Sequence, residues 1–160
     1  MNLEKLKHLA DLKEEHLDLY KELQGIRAAG EREFMKSIRG EFESYFNKNG
    51  FAASSESDVA ITMKYKSLSA SLHVFGDTFE LKLPDGVSPQ GRIHQECDSY
   101  KPTHVNDSLP LDAKIDHEVK SIGELRLAIA NTPPCCYYLT IGKQAKRHDC
   151  LSDILRSFAG

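Results

Sequence analysis

Residues 9–26, with the sequence LADLKEEHLDLYKELQGI, decide how the N-terminal part of this chain folds. Their apolar positions recur at alternating steps of three and four, the a/d spacing of a coiled-coil seam. We call this set the heptad stripe: Leu9, Leu12, His16, Leu19, Leu23 and Ile26. Because one helix cannot bury such a stripe alone, we expect these six residues to bind a partner. The rest of the same chain could also cover the stripe, but we favour a second copy of the chain, giving a homo-oligomer, or another protein.

His16 is the polar member of the heptad stripe. A polar side chain at such a position often fixes helix register at some cost in stability. Charging it in a dry seam is unfavourable, so pairing could respond to pH. The alternative is a partly exposed histidine at the edge of the seam.

The extent of this helix depends on Gly25 and Gly30, which bracket a short segment. In one interpretation they form a turn and a second helix begins at Glu31. In the other a single long helix continues to Asn47, about 65–70 Å in length at 1.5 Å per residue. We favour the long helix, because an apolar stripe continues at steps of four through Phe34, Ile38 and Phe42 and would pack on the protein's own sheet.

The rest of the chain predicts an α+β fold, with a mostly antiparallel sheet of about four strands and two short helices. We expect a projecting, oligomerising helix over 1–30 and an α+β domain over 31–160 that begins with a helix at 31–48. Residues 52–57 would be a linker, and 84–110 are mostly irregular, although Ile93 could add a short strand. Strands are expected near 59–66, 69–75, 78–83 and 135–141, the last central and buried, and helices near 121–131 and 150–158. Ser121 would cap the first of these helices and Asp149 or Ser152 the second.

Composition limits the function classes. The 160 residues carry a formal charge of −3, too mild to indicate a nucleic-acid binder. The N-terminus has no signal-peptide pattern, and no apolar run reaches the length of a membrane span. We therefore expect a cytoplasmic protein that contacts no membrane and whose four cysteines are reduced thiols.

Cysteines and histidines could support two kinds of chemistry. Zinc would require His94, Cys97, His148 and Cys150 to converge, but neither pair has the Cys-x-x-Cys spacing. A thiol enzyme would use Cys150, since a helix N-terminus beside it would lower its pKa. Cys135 and Cys136 would instead behave as small apolar side chains. No base or orienting acid can be assigned, so we expect no catalytic residue, metal site or cofactor.

The basic segment 142–148 is a weak candidate for anion binding. If it is a loop between a strand and a helix, its backbone N–H groups would favour a phosphate, with Lys143, Lys146 and Arg147 adding positive charge. Its single glycine does not match a P-loop or a dinucleotide-binding motif, so a solvated turn is the alternative.

These patterns favour a small soluble protein that binds other proteins: an oligomerising adaptor, an inhibitor or an assembly component. It would act through the heptad stripe and charged loops. One alternative is a nucleotide- or nucleic-acid-binding module using the 142–148 segment. Another is a thiol- or zinc-dependent enzyme.

Overall fold

The computed structural model describes residues 1–97, 100–131 and 135–159, except for the side chains of Gln144 and Ala145. The chain forms two compact units. The first contains residues 1–30 and 97–136, and the second contains residues 31–96 and 137–160. The segment expected to project therefore shares its unit with residues 97–136, which had been assigned to the other domain.

Three helices lie in the described ranges: α1 over Leu3–Lys48, α2 over Leu111–Ala130 and α3 over Leu151–Phe158. The long N-terminal helix is confirmed, because α1 has 46 residues and passes through both glycines. A Cβ at Gly25 would meet no atom within 4 Å, so no close packing requires that glycine.

The end of α1 is a Schellman motif. Phe51 N–H donates to Phe46 O and Gly50 N–H donates to Asn47 O, both at 3.0 Å. Gly50 adopts a φ of +85°, the left-handed conformation that this motif places on glycine. A glycine at this position followed by an apolar residue, here Phe51, is the sequence pattern typical of such a helix end.

The sheet has seven strands in the order β1-β2-β3-β4-β5-β6-β7, so the expected count of about four is wrong. The pairs β1–β2, β2–β3, β3–β4, β4–β5 and β6–β7 are antiparallel. The strands are β1 Ala52–Glu56, β2 Ala60–Tyr65, β3 Leu68–Phe75, β4 Thr78–Lys82, β5 Gln90–Glu96, β6 Cys136–Ile141 and β7 Gln144–His148.

Two strands lie where no strand was expected, since the predicted 52–57 linker is mostly β1 and the basic segment is largely β7. The short strand considered at Ile93 is present as β5. β1 is exposed at every residue, so it lacks the apolar alternation that identifies a half-buried strand. The strand expected to be central, β6, instead lies next to the edge strand β7 and is mostly half-buried.

The α2 helix begins ten residues before the predicted start. Pro110 precedes its first turn, and Ser121 is buried within the helix rather than capping it. The charged residues between 112 and 120 interrupt any apolar run there, because only one face of α2 is buried and the other face carries charges.

The core of the second unit is formed by one face of the sheet, the second half of α1, and α3. Ile38, Phe42 and Phe46 are the buried α1 residues, which confirms that the later apolar stripe packs on the sheet. Phe79 requires a glycine opposite it in β5, because a Cβ at Gly91 would lie 2.3 Å from the Phe79 ring.

The N-terminus of α3 is stabilised by a carboxylate from α1. Glu41 Oε2 accepts hydrogen bonds from Ser152 N–H at 2.7 Å and from Ser152 Oγ at 2.9 Å. A negative charge at a helix N-terminus satisfies free N–H groups and the helix dipole. Cys150 occupies the N-cap position without a side-chain bond, so neither predicted capping residue has that role.

Candidate functional site

The heptad stripe packs within its own unit. Leu23 is 0% exposed and Leu9 is buried, while the other four members are half-buried. Leu23 belongs to a cluster with Tyr100, Leu125 and Ala128, against which Leu19 also packs. The α2 helix and Tyr100 of the same chain therefore cover much of this stripe. Partner binding by the six residues stays a prediction, but Leu9 and Leu23 offer almost no free surface for it.

The first part of α1 and the α2 helix run parallel in this unit. Lys5 forms an ion pair with Asp112 at 2.6 Å, and further along both helices His16 contacts Glu118. Still further along both helices, Leu23 and Leu125 belong to the same buried apolar cluster. The Lys5–Asp112 pair is largely exposed, so the apolar contacts contribute most of the stability of this pairing.

His16 is held between two side chains that the sequence had not connected with it. Its Nδ1 lies 2.6 Å from Glu118 Oε2, and its Nε2 lies 2.6 Å from the Tyr100 hydroxyl oxygen. With a proton on Nδ1, the imidazole donates to the carboxylate and accepts from the phenol, so all three polar groups are satisfied. The signal in the sequence was His16 itself, because a polar group in an apolar seam requires a partner.

The hydrogen-bonded set of Glu118, His16 and Tyr100 does not activate the Tyr100 hydroxyl as a nucleophile. Burial, followed by the negative charge of Glu118, raises the pKa of the Tyr100 phenol above its usual value. The phenol therefore stays protonated at neutral pH and serves as a hydrogen-bond donor. The arrangement fixes the register of α1, α2 and the segment around Tyr100.

A second row of leucines on α1 remains exposed. Leu3, Leu6 and Leu17 are 58%, 42% and 52% exposed. They follow the same three-and-four spacing through Ala10 and Lys13, which are also exposed. We call Leu3, Leu6 and Leu17 the outer leucine row. Sequence analysis missed it because the longer heptad stripe lies beside it on the same helix.

The basic segment forms a hairpin turn and an edge strand, not a loop leading directly into a helix. Arg147 pairs with Asp149 at 2.9 Å and with Glu96 at 3.4 Å, and its guanidinium lies 4.5 Å from the Tyr138 ring centroid. Lys143 and Lys146 are exposed. Carboxylates thus already neutralise Arg147, and anion binding by these three residues stays a prediction.

The expectation of four reduced thiols is wrong for two of them, since Cys97 and Cys135 form a disulfide. This removes Cys97 from the zinc set considered above. Within the described ranges, no group of three or more His, Cys, Asp or Glu residues is placed to hold a metal ion. Disulfides persist mainly in oxidising compartments, so this bond argues against the cytoplasmic location, which stays a prediction.

Cys136 and Cys150 are free thiols in different surroundings. Burial raises the pKa of Cys150, contrary to the lowering expected at a helix N-terminus, and the nearby Glu41 and Asp153 charges add to the rise. The raised pKa makes Cys150 poorly suited to be a nucleophile. Cys136, by contrast, is exposed on β6.

We expect iodoacetamide at pH 8 to alkylate Cys136 faster than Cys150, because Cys136 is exposed whereas Cys150 is partly buried and burial raises its pKa, which lowers the fraction of reactive thiolate. Peptide mass spectrometry over a time course measures both rates in one sample. Guanidinium-denatured protein is the control, in which the two rates should converge. Equal rates in the folded protein would show that Cys150 is not protected.

No helix in the described part of the chain combines the length and apolarity needed to cross a bilayer. Comparison of the chain with protein-family models, curated proteins and solved structures found no match.

Proposed function

We propose that this protein binds other protein chains through the outer leucine row, and that a second copy of itself is one such partner. The observation that carries the proposal is the exposure of Leu3, Leu6 and Leu17 on a helix whose neighbouring stripe is already covered. Regularly spaced exposed leucines on a helix are typical of helix–helix recognition. The proposal keeps the N-terminal helix as the binding element and changes which of its residues make contact.

The spacing of the outer leucine row suits pairing with itself. Leu3 and Leu17 each lie seven residues from Ala10, on either side. If two helices cross antiparallel at Ala10, Leu3 of each copy lies opposite Leu17 of the other. The small side chain of Ala10 permits close approach at the crossing, and such a two-fold contact uses the same patch on both copies.

The expected affinity is low. A leucine already half-buried adds about 1 kcal/mol on full burial, so six leucines in a dimer supply roughly 6 kcal/mol. Association costs about 4–15 kcal/mol in lost freedom. The leucines alone therefore leave at most about 2 kcal/mol, and pairing at the millimolar level, which needs about 4 kcal/mol, also requires burial of the side chains that flank them. A partner helix with a longer apolar face would bind more tightly.

We expect the double substitution Leu6→Glu/Leu17→Glu to weaken self-association at least about tenfold, because it places charges in the proposed contact. Both residues are at least 42% exposed, so the fold should tolerate the change. Sedimentation equilibrium up to about 1 mM measures the dissociation constant, with circular dichroism confirming helix content.

Leu127→Glu is the matched control, since Leu127 is the most exposed large apolar residue on α2 and lies outside the outer leucine row. It should leave self-association unchanged. A wild-type chain that remains monomeric at the highest concentration would contradict self-pairing. Equal weakening by Leu127→Glu would show that the contact lies elsewhere.

A further inference from the structure

We propose that a cavity in the second unit binds a small apolar amine in its protonated form, independently of the outer leucine row. The cavity, here called the corner pocket, has a volume of about 270 Å³ and lies between α1 and the start of the β2–β3 hairpin. Its walls include Met35, Ile61, Leu72 and Val74, and three charged residues line it: Glu31, Arg39 and Asp58.

The walls of the corner pocket select for an apolar group. Ile61 and Leu72 belong to the core of the unit and are each 1% exposed, whereas Met35 and Val74 are only partly covered. Val59, which also lines the pocket, is 50% exposed. The pocket is thus an opening into the apolar core, and water gains few hydrogen bonds there.

The charges around the corner pocket select for a cation. Arg39 is already engaged, because its guanidinium donates to Glu56 Oε1 at 2.5 Å and to Ser57 O at 2.6 Å. Glu31 and Asp58 form no ion pair among the described residues, and both are exposed. With Arg39 neutralised by Glu56, the lining carries an excess of two negative charges.

Size and charge together define the ligand class. A volume of about 270 Å³ accommodates one phenyl ring with a short alkyl chain, since a 150 Å³ apolar cavity already holds benzene. An ammonium group on that chain could stay at the rim, near Glu31 and Asp58. We therefore assign the pocket to an arylalkyl or alkyl monoamine of about this size.

Three probes of nearly equal shape test the assignment on the full chain: phenethylammonium, neutral 2-phenylethanol and anionic 3-phenylpropionate. Methyl-selective NMR titrations report on Val59, Ile61, Leu72 and Val74. We expect saturable shifts at these methyls, with the cation binding about five- to tenfold more tightly than the alcohol and the anion binding most weakly. No saturable shift with any probe, or equal affinity for all three, would overturn the proposal.

Two variants separate the contribution of the carboxylates from that of the apolar opening of the corner pocket. Glu31→Gln/Asp58→Asn should remove the preference for the cation while the alcohol still binds, and Glu22→Gln/Asp85→Asn, at two exposed carboxylates that do not line the pocket, is the charge-matched control. Val59→Phe should reduce binding of every probe by crowding the opening, whereas Val87→Phe, at a similarly exposed valine elsewhere, should not. A cation preference that survives Glu31→Gln/Asp58→Asn would contradict the assigned role of these carboxylates.

Discussion

Leu23→Ala is expected to lower the free energy of unfolding by about 2–5 kcal/mol, the range for removing a buried leucine side chain. Leu23 is 0% exposed and packs with Tyr100, Leu125 and Ala128, so the substitution leaves a cavity between α1 and α2. Urea denaturation followed by circular dichroism measures the change, with the slope of the transition confirming a comparable unfolding reaction.

Leu17→Ala is the matched control on the same helix. Leu17 is 52% exposed, so we expect a change within about 0.5 kcal/mol. The contrast tests which leucines stabilise the unit and which remain for a partner. Similar costs for the two substitutions, or a larger cost at Leu17, would show that the heptad stripe is not the buried side of the helix.

Removing the disulfide with Cys97→Ser/Cys135→Ser is expected to destabilise the first unit by about 4 kcal/mol. The bond closes a loop with a sequence separation of 38, which restricts the unfolded chain. Loop-closure entropy gives about that magnitude for a loop of this length. Hydrogen exchange should show the loss as faster exchange of the α2 amides, and reduction of the wild-type protein with dithiothreitol should reproduce it.

Cys136→Ser is the control for the disulfide experiment, because it changes an adjacent free thiol without touching the bond. It should leave exchange in α2 unchanged. If dithiothreitol and the double substitution both leave α2 protection intact, the disulfide does not stabilise this unit.

The parts of the fold that sequence could predict are those determined by local patterns. The a/d and i+4 spacings identified α1, Asn47–Phe51 indicated its end, and alternation identified β2, β3 and β4. Each of these signals arises within a few turns of helix or one strand. The α+β class followed from their order along the chain.

The parts that sequence could not predict depend on pairing between distant residues. The β1 strand has no apolar alternation and exists because it pairs with β2 at the edge of the sheet. Likewise, periodicity shows that the heptad stripe needs a cover but cannot show that α2, about a hundred residues away, provides it. The sequence also contained no pattern that would pair Cys97 with Cys135, because the two cysteines are 38 residues apart.

The candidate site was predicted only in part, because some of its residues come from distant segments of the chain. The sequence indicated the correct helix for binding and a histidine that needed partners, but Glu118 and Tyr100 come from segments with no readable pattern. The outer leucine row becomes apparent only once the covered face of α1 is known, since both rows have the same spacing.

Disulfide crosslinking at Ala10 tests most directly whether the exposed side of α1 pairs with a second copy. In a Cys136→Ser background, Ala10→Cys should form a covalent dimer under mild oxidation at about 0.5 mM, because the proposed two-fold axis brings the two thiols within disulfide range. Asp11→Cys, one residue away and about 100° around the helix, should crosslink far less. Equal crosslinking at both positions, or none at Ala10→Cys, would contradict pairing through the outer leucine row.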